Sequence, residues 1–105
     1  MDRINDLRTK IQAYCEEQAQ IPFSPPTLKY KTVFDTKSDN YLLVLTGHDK
    51  QKHVYGVDLH LSVEGGKVLL LENNTEWDVF QHLEAAGIAR EDLVDATQSY
   101  NHINQ

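Results

Sequence analysis

Residues 53–72 decide the fold, and they read HVYGVDLHLSVEGGKVLLLE. Apolar and polar residues alternate over 55–64, which is typical of a β-strand with one buried and one solvent-facing side. Gly65 and Gly66 follow, and both tolerate the positive φ that a two-residue type I′ turn requires. The stretch therefore predicts a β-hairpin whose turn sets the register. The predicted cross-strand pairs are Glu64 with Lys67, Val63 with Val68, Leu61 with Leu70, and His60 with Leu71.

The same alternation predicts which side chains share a face of this strand. One face is apolar and is expected to be buried, and the other is polar and is expected to face solvent. The apolar set is Tyr55, Val57, Leu59, Leu61 and Val63, and the other set is Gly56, Asp58, His60, Ser62 and Glu64.

Length and composition indicate one domain of 105 residues, which is large enough for a single hydrophobic core. The 10 basic and 16 acidic residues give a net charge of −6, which disfavours binding a polyanion through the whole surface. Cys15 is the only cysteine, so an internal disulfide is excluded and a cysteine-based metal site is not expected. No apolar run has the length of a membrane span, and the first residues lack a signal peptide's apolar segment. We therefore expect a soluble cytoplasmic protein that makes no membrane contact.

An amphipathic helix is predicted over residues 2–20, because apolar residues recur there at spacings of three and four. Proline at 22, 25 and 26 prevents its continuation. The stripe can pack on the sheet, which we expect, or pair with a helix of another molecule. The stripe consists of Ile4, Leu7, Ile11 and Tyr14.

The sheet is predicted over residues 27–73, with strands at 27–35 and 41–46 preceding the hairpin. Short polar segments at 35–40 and 47–52 join them, so the four strands are expected to form an antiparallel meander. Lys29 and Lys31 point outward from the first strand, as suits an edge. The second strand is apolar on both faces and should be covered on both sides.

Residues 75–96 are predicted to be helical, beginning with a capping-box-like Thr75–Asp78 and ending at Gly87 and Ile88 as in a Schellman motif. A short turn or helix at 90–96 follows, and 97–105 reads as a loosely held tail. The predicted fold class is α+β: a four-stranded antiparallel meander with an N-terminal helix and one or two C-terminal helices. We expect the first helix to cover Leu59, Leu61 and Val63, and the second to cover part of the other face.

Asp58 and His60 form the strongest candidate for chemistry. Two positions apart on one strand face, they can serve as a general base and its orienter, or as half of a metal site. No third ligand stands at a recognisable spacing, and a polar pair on a wet face explains them equally well. We predict no catalytic residue, no metal site and no cofactor, with a small hydrolase or metal-binding protein as the alternative.

Two surfaces are candidates for binding. Lys50 and Lys52 lie in a loop with two histidines and can contact phosphate, although Asp49 interrupts the cluster and a solvated hairpin tip is favoured. Leu69 and Leu71 lie on the otherwise polar face of the hairpin, where an apolar patch needs a cover. With Trp77 they predict a homodimer or partner contact.

Five sequence blocks stand in a recognisable order and spacing: FDTKSDNYLL (34–43), GHDKQKHVYG (47–56), GGKV (65–68), NNTE (73–76) and GIAREDLV (87–94). Their order resembles the XisI family, the fdxN-element excision controlling factors of heterocyst-forming cyanobacteria. The similarity spans roughly residues 2–96, with His48 and Ala89 where the family usually has tryptophan and proline, and with a shorter tail.

The resemblance implies a role in programmed DNA excision together with a companion protein, XisH, which looks like a nuclease-fold protein. A separate recombinase performs the strand chemistry in that system. This chain would then be an accessory or regulatory protein, not an enzyme, and would meet DNA only indirectly.

Overall fold

A five-stranded sheet lies beneath two helices in the computed structural model, which describes residues 2–24 and 26–97. The strand order follows the chain from β1 to β5, with every neighbouring pair antiparallel except the last, which is parallel. The predicted α+β fold and its four-stranded meander are confirmed, and a fifth strand is added. The elements are α1 (Arg3–Gln18), β1 (Leu28–Asp35), β2 (Asn40–Asp49), β3 (Lys52–Glu64), β4 (Lys67–Asn73), α2 (Val79–Ala85), a 3-10 turn (Arg90–Asp92) and β5 (Leu93–Asp95).

The β3–β4 hairpin turns at Gly65 and Gly66, whose φ values are 59° and 76°. Both are positive, as a type I′ turn requires, and three of the four predicted cross-strand pairs are present. The predicted pairing of His60 with Leu71 is wrong, because His60 pairs with Glu72. Leu71 is the extra residue of a β-bulge, and bulges depend on contacts that the alternation alone does not reveal.

A second bulge lies between β2 and β3. Leu43 pairs with Leu59 and Val44 pairs with Val57, so Asp58 is the extra residue. One inserted residue reverses the alternation, and Val57 therefore lies on the face opposite Leu59. The prediction that Tyr55 and Val57 share the buried face is wrong, and Tyr55 is 72% exposed.

The turn between β2 and β3 is shorter than predicted. Strand pairing continues to Asp49 and Lys52, so the loop expected at 47–52 reduces to Lys50 and Gln51. Lys50 has a φ of 62°, in the left-handed region that completes the tight turn.

Helix α1 begins at the cap formed by Asp2, whose Oδ1 accepts a hydrogen bond from the Ile4 N–H at 3.0 Å. The apolar stripe of α1 packs on the sheet. Of the two alternatives, packing on the sheet is therefore the role of these residues, and pairing with a helix of another molecule is not. The expectation that α1 covers the face of Leu59, Leu61 and Val63 is confirmed, because all belong to one core cluster. The buried residues of α1 are Leu7, Ile11, Tyr14 and Cys15.

Helix α2 begins later than predicted, at Val79. Asp78 is its cap and accepts from the Gln81 N–H at 3.1 Å. Thr75 instead accepts from the Trp77 N–H at 3.1 Å, so both residues have the side-chain chemistry of a cap and the sequence did not separate them. The predicted Schellman end is confirmed: Gly87 has a φ of 105°, and the N–H of Ile88 donates to the Leu83 carbonyl at 3.1 Å.

Both helices lie on the same face of the sheet, so the prediction that α2 covers part of the other face is wrong. The Tyr14 hydroxyl of α1 lies 2.9 Å from His82 Nδ1 of α2, and Lys10 Nζ donates to the Gly87 carbonyl at 3.3 Å. A helix of seven residues has one apolar stripe. In α2 this stripe is buried against α1 and the sheet. The core consists of Leu7, Ile11, Tyr14, Cys15, Tyr41, Leu43, Leu59, Leu61, Val63, Val68, Leu70, Val79, Leu83, Ile88 and Leu93.

Strand β5 lies where a turn or helix was predicted. Leu93 and Val94 pair in parallel with β4, Leu93 is buried, and the Ala96 N–H donates to the Leu70 carbonyl at 2.9 Å. The helical prediction is wrong for 93–95 because three residues are too few to show a period of two. The predicted loose tail falls mainly on 98–105, outside the described residues.

Candidate interaction surface

The second face of the sheet, called the open face below, lies opposite both helices. Within residues 2–24 and 26–97, no helix packs on this face, because α1 and α2 both contribute to the core on the first face. The strand register places its side chains in rows that cross the sheet. The rows are Lys29–Thr46–Tyr55, Lys31–Val44–Val57, Val33–Leu42–His60–Glu72, and Asn40–Ser62–Leu69–Val94.

The centre of the open face is apolar. Leu42, Val57 and Leu69 are half-buried there, and Val33 and Val94 extend the apolar surface to the two edge strands, where they are 45% and 37% exposed. A one-sided antiparallel sheet normally presents polar residues to water on its outer face. The open face therefore has an apolar centre, bordered by polar residues toward the strand ends, as an interaction surface has.

Of the three residues predicted to make a partner contact, the structure brings only two together. Leu69 lies on the open face and Leu71 lies in the adjoining bulge, both half-buried. Trp77 packs on the helix-covered side, with its ring centroid 5.8 Å from that of Tyr30. Trp77 thus packs against the core, and the sheet separates it from the two leucines.

Sequence reasoning did not assign Val33, Leu42, Val44 and Val94 to a binding surface. The available signals were the outward position of Val33 beside two lysines and the apolar character of β2 on both faces. The lysines beside Val33 instead predict an edge strand, and the apolar character of β2 instead predicts a covering helix. The fifth strand, which adds Val94 to the same face, had no detectable period.

His60 is held on the open face by a neighbouring strand. Its Nε2 lies 2.9 Å from Asn40 Oδ1, which can only accept, so Nε2 carries the proton. Burial lowers the pKa of His60, and the charge of Glu72 opposes that shift. Beside it, Ser62 is buried, and its Oγ has no hydrogen-bond partner among the described residues.

Asp58 points to different partners from His60. Its Oδ2 accepts from the Tyr30 hydroxyl at 2.8 Å, and the Tyr30 ring packs edge-on against Phe23 at 4.9 Å between centroids. Burial, assisted by the Asp58 carboxylate, raises the pKa of Tyr30. The bulge at Asp58 therefore separates the predicted pair. Asp58 hydrogen-bonds to β1 on the helix-covered side of the sheet, whereas His60 hydrogen-bonds to β2 on the open face.

The predicted phosphate-contacting lysines lie at the exposed tip of the β2–β3 hairpin. Lys50 occupies the turn and Lys52 begins β3. The rings of His48 and His53 lie 5.4 Å apart between centroids, beneath that tip. These side chains form a small basic end on an acidic molecule.

A groove of roughly 830 Å³ runs between the two helices. Ile21, which is 43% exposed, is among its lining residues, and Tyr14 and His82, which contact each other, also line it. Its remaining lining includes Lys10, Ala13, Glu17 and Ala86.

Among residues 2–24 and 26–97, no three histidine, cysteine or carboxylate side chains are grouped so that they could hold a metal ion. No helix there is long and apolar enough to cross a membrane.

The model of the XisI protein family matches residues 1–104. The chain belongs to the XisI family. No curated protein of similar sequence was found.

Solved structures of XisI proteins have the same fold. An XisI-like protein from Anabaena variabilis ATCC 29413 superposes with a TM-score of 0.82 at 21% identity, over 90% of this chain and 87% of that one. The fdxN element excision controlling factor XisI from the same organism superposes with a TM-score of 0.72 at 26% identity, over 89% and 90%. The predicted XisI membership is confirmed.

Proposed function

We propose that this XisI-family chain is an accessory protein that controls excision of a DNA element by binding other proteins. The observation that carries the proposal is its membership of the family, whose similar solved member is named an excision controlling factor.

The geometry of the polar candidates also favours binding over catalysis. A general base and its orienter must be within hydrogen-bond reach of each other. Asp58 instead accepts from Tyr30, and His60 contacts Asn40, so each side chain joins two strands. The alternative, a small hydrolase or metal-binding protein that uses Asp58 and His60, gains no support from this arrangement.

The partner we propose is an XisH-like protein with a nuclease fold, as the family resemblance implies. The net charge of −6 supports an indirect relation to DNA, because repulsion from phosphate weakens binding unless another protein supplies the basic surface. Lys50 and Lys52 would then touch phosphate only within the assembled complex. The complex would form in the cytoplasm, where its DNA substrate lies.

Excision frequency in cells tests the proposed function. Deleting the gene for this chain should lower excision of the element, and restoring either the wild type or Asp58→Asn should recover it equally. Asparagine keeps an acceptor for the Tyr30 hydroxyl but cannot act as a general base. Unchanged excision in the deletion strain would contradict the proposal, and failure of a stably folded Asp58→Asn variant would favour the hydrolase alternative.

A further inference from the structure

We propose that the open face joins two copies of this chain, face to face, in a symmetric dimer. This inference goes beyond the proposed function because it concerns the chain alone. Apolar side chains occupy adjacent rows, each of the five strands contributes at least one of them, and Leu71 adds another at the β4 bulge. Val33 and Val94 stand at the two sides of the sheet and are 45% and 37% exposed. Such a continuous apolar surface is suited to burial against a second sheet.

Charge on the open face favours a second copy as the occupant. The whole molecule carries −6, so two copies repel each other through most of their surfaces. On this face, however, the charges nearly balance: Lys29, Lys31 and Asp35 are exposed on β1, and Glu72 is exposed on β4. The Glu72 carboxylate is steadied by Asn74, whose Nδ2 donates to its Oε2 at 2.8 Å. The two lysines of β1 and the carboxylate of β4 therefore lie toward opposite sides of one nearly balanced surface.

This distribution is self-complementary about a two-fold axis parallel to the strands. An axis that runs between β2 and β3 places β1 of each copy over β4 of the other copy. Lys31 then lies one row from Glu72 of the second copy, and the contact occurs twice. Val33 lies in the same row as Glu72, and the axis preserves the rows, so Val33 meets the β4 bulge formed by Leu71 and Glu72 of the second copy.

The size of the open face matches what a dimer needs. With about 4.8 Å between strands and about 3.3 Å per residue, the four overlapping strands and the length of β2 span roughly 19 by 33 Å at the widest. The smallest stable interfaces take about 600 Å² from each partner, so the dimer would use all of the overlapping face.

The mass of the purified chain in solution is the first test. Light scattering and sedimentation over a wide range of concentrations should give twice the 12.0 kDa of one chain. A wild-type chain that stays monomeric, or that uses this face only for a different protein, overturns the proposal. The measurement contains no XisH-like protein, so its failure is distinct from failure of the proposed function.

A matched pair of variants locates the contact. Val33→Glu places a carboxylate on the open face, next to Glu72 of the second copy, and should weaken self-association at least about 100-fold. Ile21→Glu is the control, because Ile21 is 43% exposed but lies at the helix groove. Both should melt close to the wild type. Equal dimerisation of the two variants, or equal loss, overturns the proposal.

A charge exchange tests the two-fold arrangement. Lys31→Glu and Glu72→Lys should each weaken the dimer, and the double variant should recover most of the affinity because the pair is restored with its signs reversed. Additive losses in the double variant would overturn the pairing of β1 with β4. Circular dichroism of each monomer confirms that folding is unchanged.

Discussion

Arg8 on α1 and Asp39 in the β1–β2 turn form a two-pronged ion pair. Arg8 Nε donates to Asp39 Oδ1 at 2.7 Å, and Arg8 Nη2 donates to Oδ2 at 3.0 Å. The Tyr41 hydroxyl also donates to Oδ1, at 2.8 Å. Asp39 has a φ of 58°, and its carbonyl accepts from the Val63 N–H at 3.2 Å. One turn residue thus ties α1, β2 and β3 together.

We predict that this contact makes stability depend on pH in the acid range. The Arg8 hydrogen bond lowers the pKa of Asp39, and burial opposes that shift only in part. Its stabilisation is therefore complete above the unfolded pKa of about 3.9 and is lost as the pH falls through the lower folded pKa. Asp39→Asn should unfold at lower urea concentration than the wild type near pH 7, and the difference should close in acid.

The matched control for that prediction is Asp6→Asn. Asp6 pairs with Lys10 at 2.9 Å on the surface of α1, and its side chain is 54% exposed. Asparagine tolerates positive φ, so the Asp39 variant should not strain the turn. A constant difference between Asp39→Asn and the wild type across the whole pH range would show that charge is not the cause.

Gly47→Ala should destabilise the protein by at least about 2 kcal/mol. Gly47 has a φ of 139°, and a Cβ there would lie 2.1 Å from the Thr27 carbonyl oxygen, so backbone must move. Gly56→Ala is the control in the neighbouring strand, because a Cβ there meets nothing within 4 Å. Denaturant unfolding measures both. Equal stability of the two variants would contradict the close approach of residue 27 to β2.

His60 should titrate below the ordinary histidine value of about 6.5. Burial lowers its pKa more strongly than the Glu72 charge raises it. The wild type should therefore lose stability relative to His60→Gln as the pH falls from about 6.5 through the folded pKa, since the buried ring must be charged. An NMR titration of the ring gives the pKa directly. A value above 6.5 would mean that Glu72 dominates.

Lys50 and Lys52 should affect DNA binding only in the assembled complex. Alone, the chain should show no steeply salt-dependent binding to duplex DNA. In a complex with the XisH-like protein, Lys50→Ala and Lys52→Ala should each reduce the slope of log K against log salt by about 1. Lys37→Ala, in the exposed β1–β2 turn, is the control. Unchanged slopes would place the hairpin tip away from DNA.

The sequence predicted the features of the fold that short patterns determine. The Gly65-Gly66 turn and its nearest pairs followed from chemistry that acts over a few residues. The stripe of α1 was readable because it spans several turns of one helix.

The sequence did not predict the features that depend on neighbouring strands. The bulges at Asp58 and Leu71 change which residues share a face, and nothing in the alternation marks them. Asp58 and His60 therefore looked like a pair until the register was known. The open face had the same origin: β2 indicated a need for cover on both sides, but the position of α2 depends on its packing against α1.

The central claim is that this chain acts by binding an XisH-like protein, and the mass of a mixture of the two purified proteins tests it most directly. The account predicts a stable complex by light scattering after size-exclusion chromatography, formed equally by the wild type and by Asp58→Asn. Two separate proteins at every concentration tested would contradict the account.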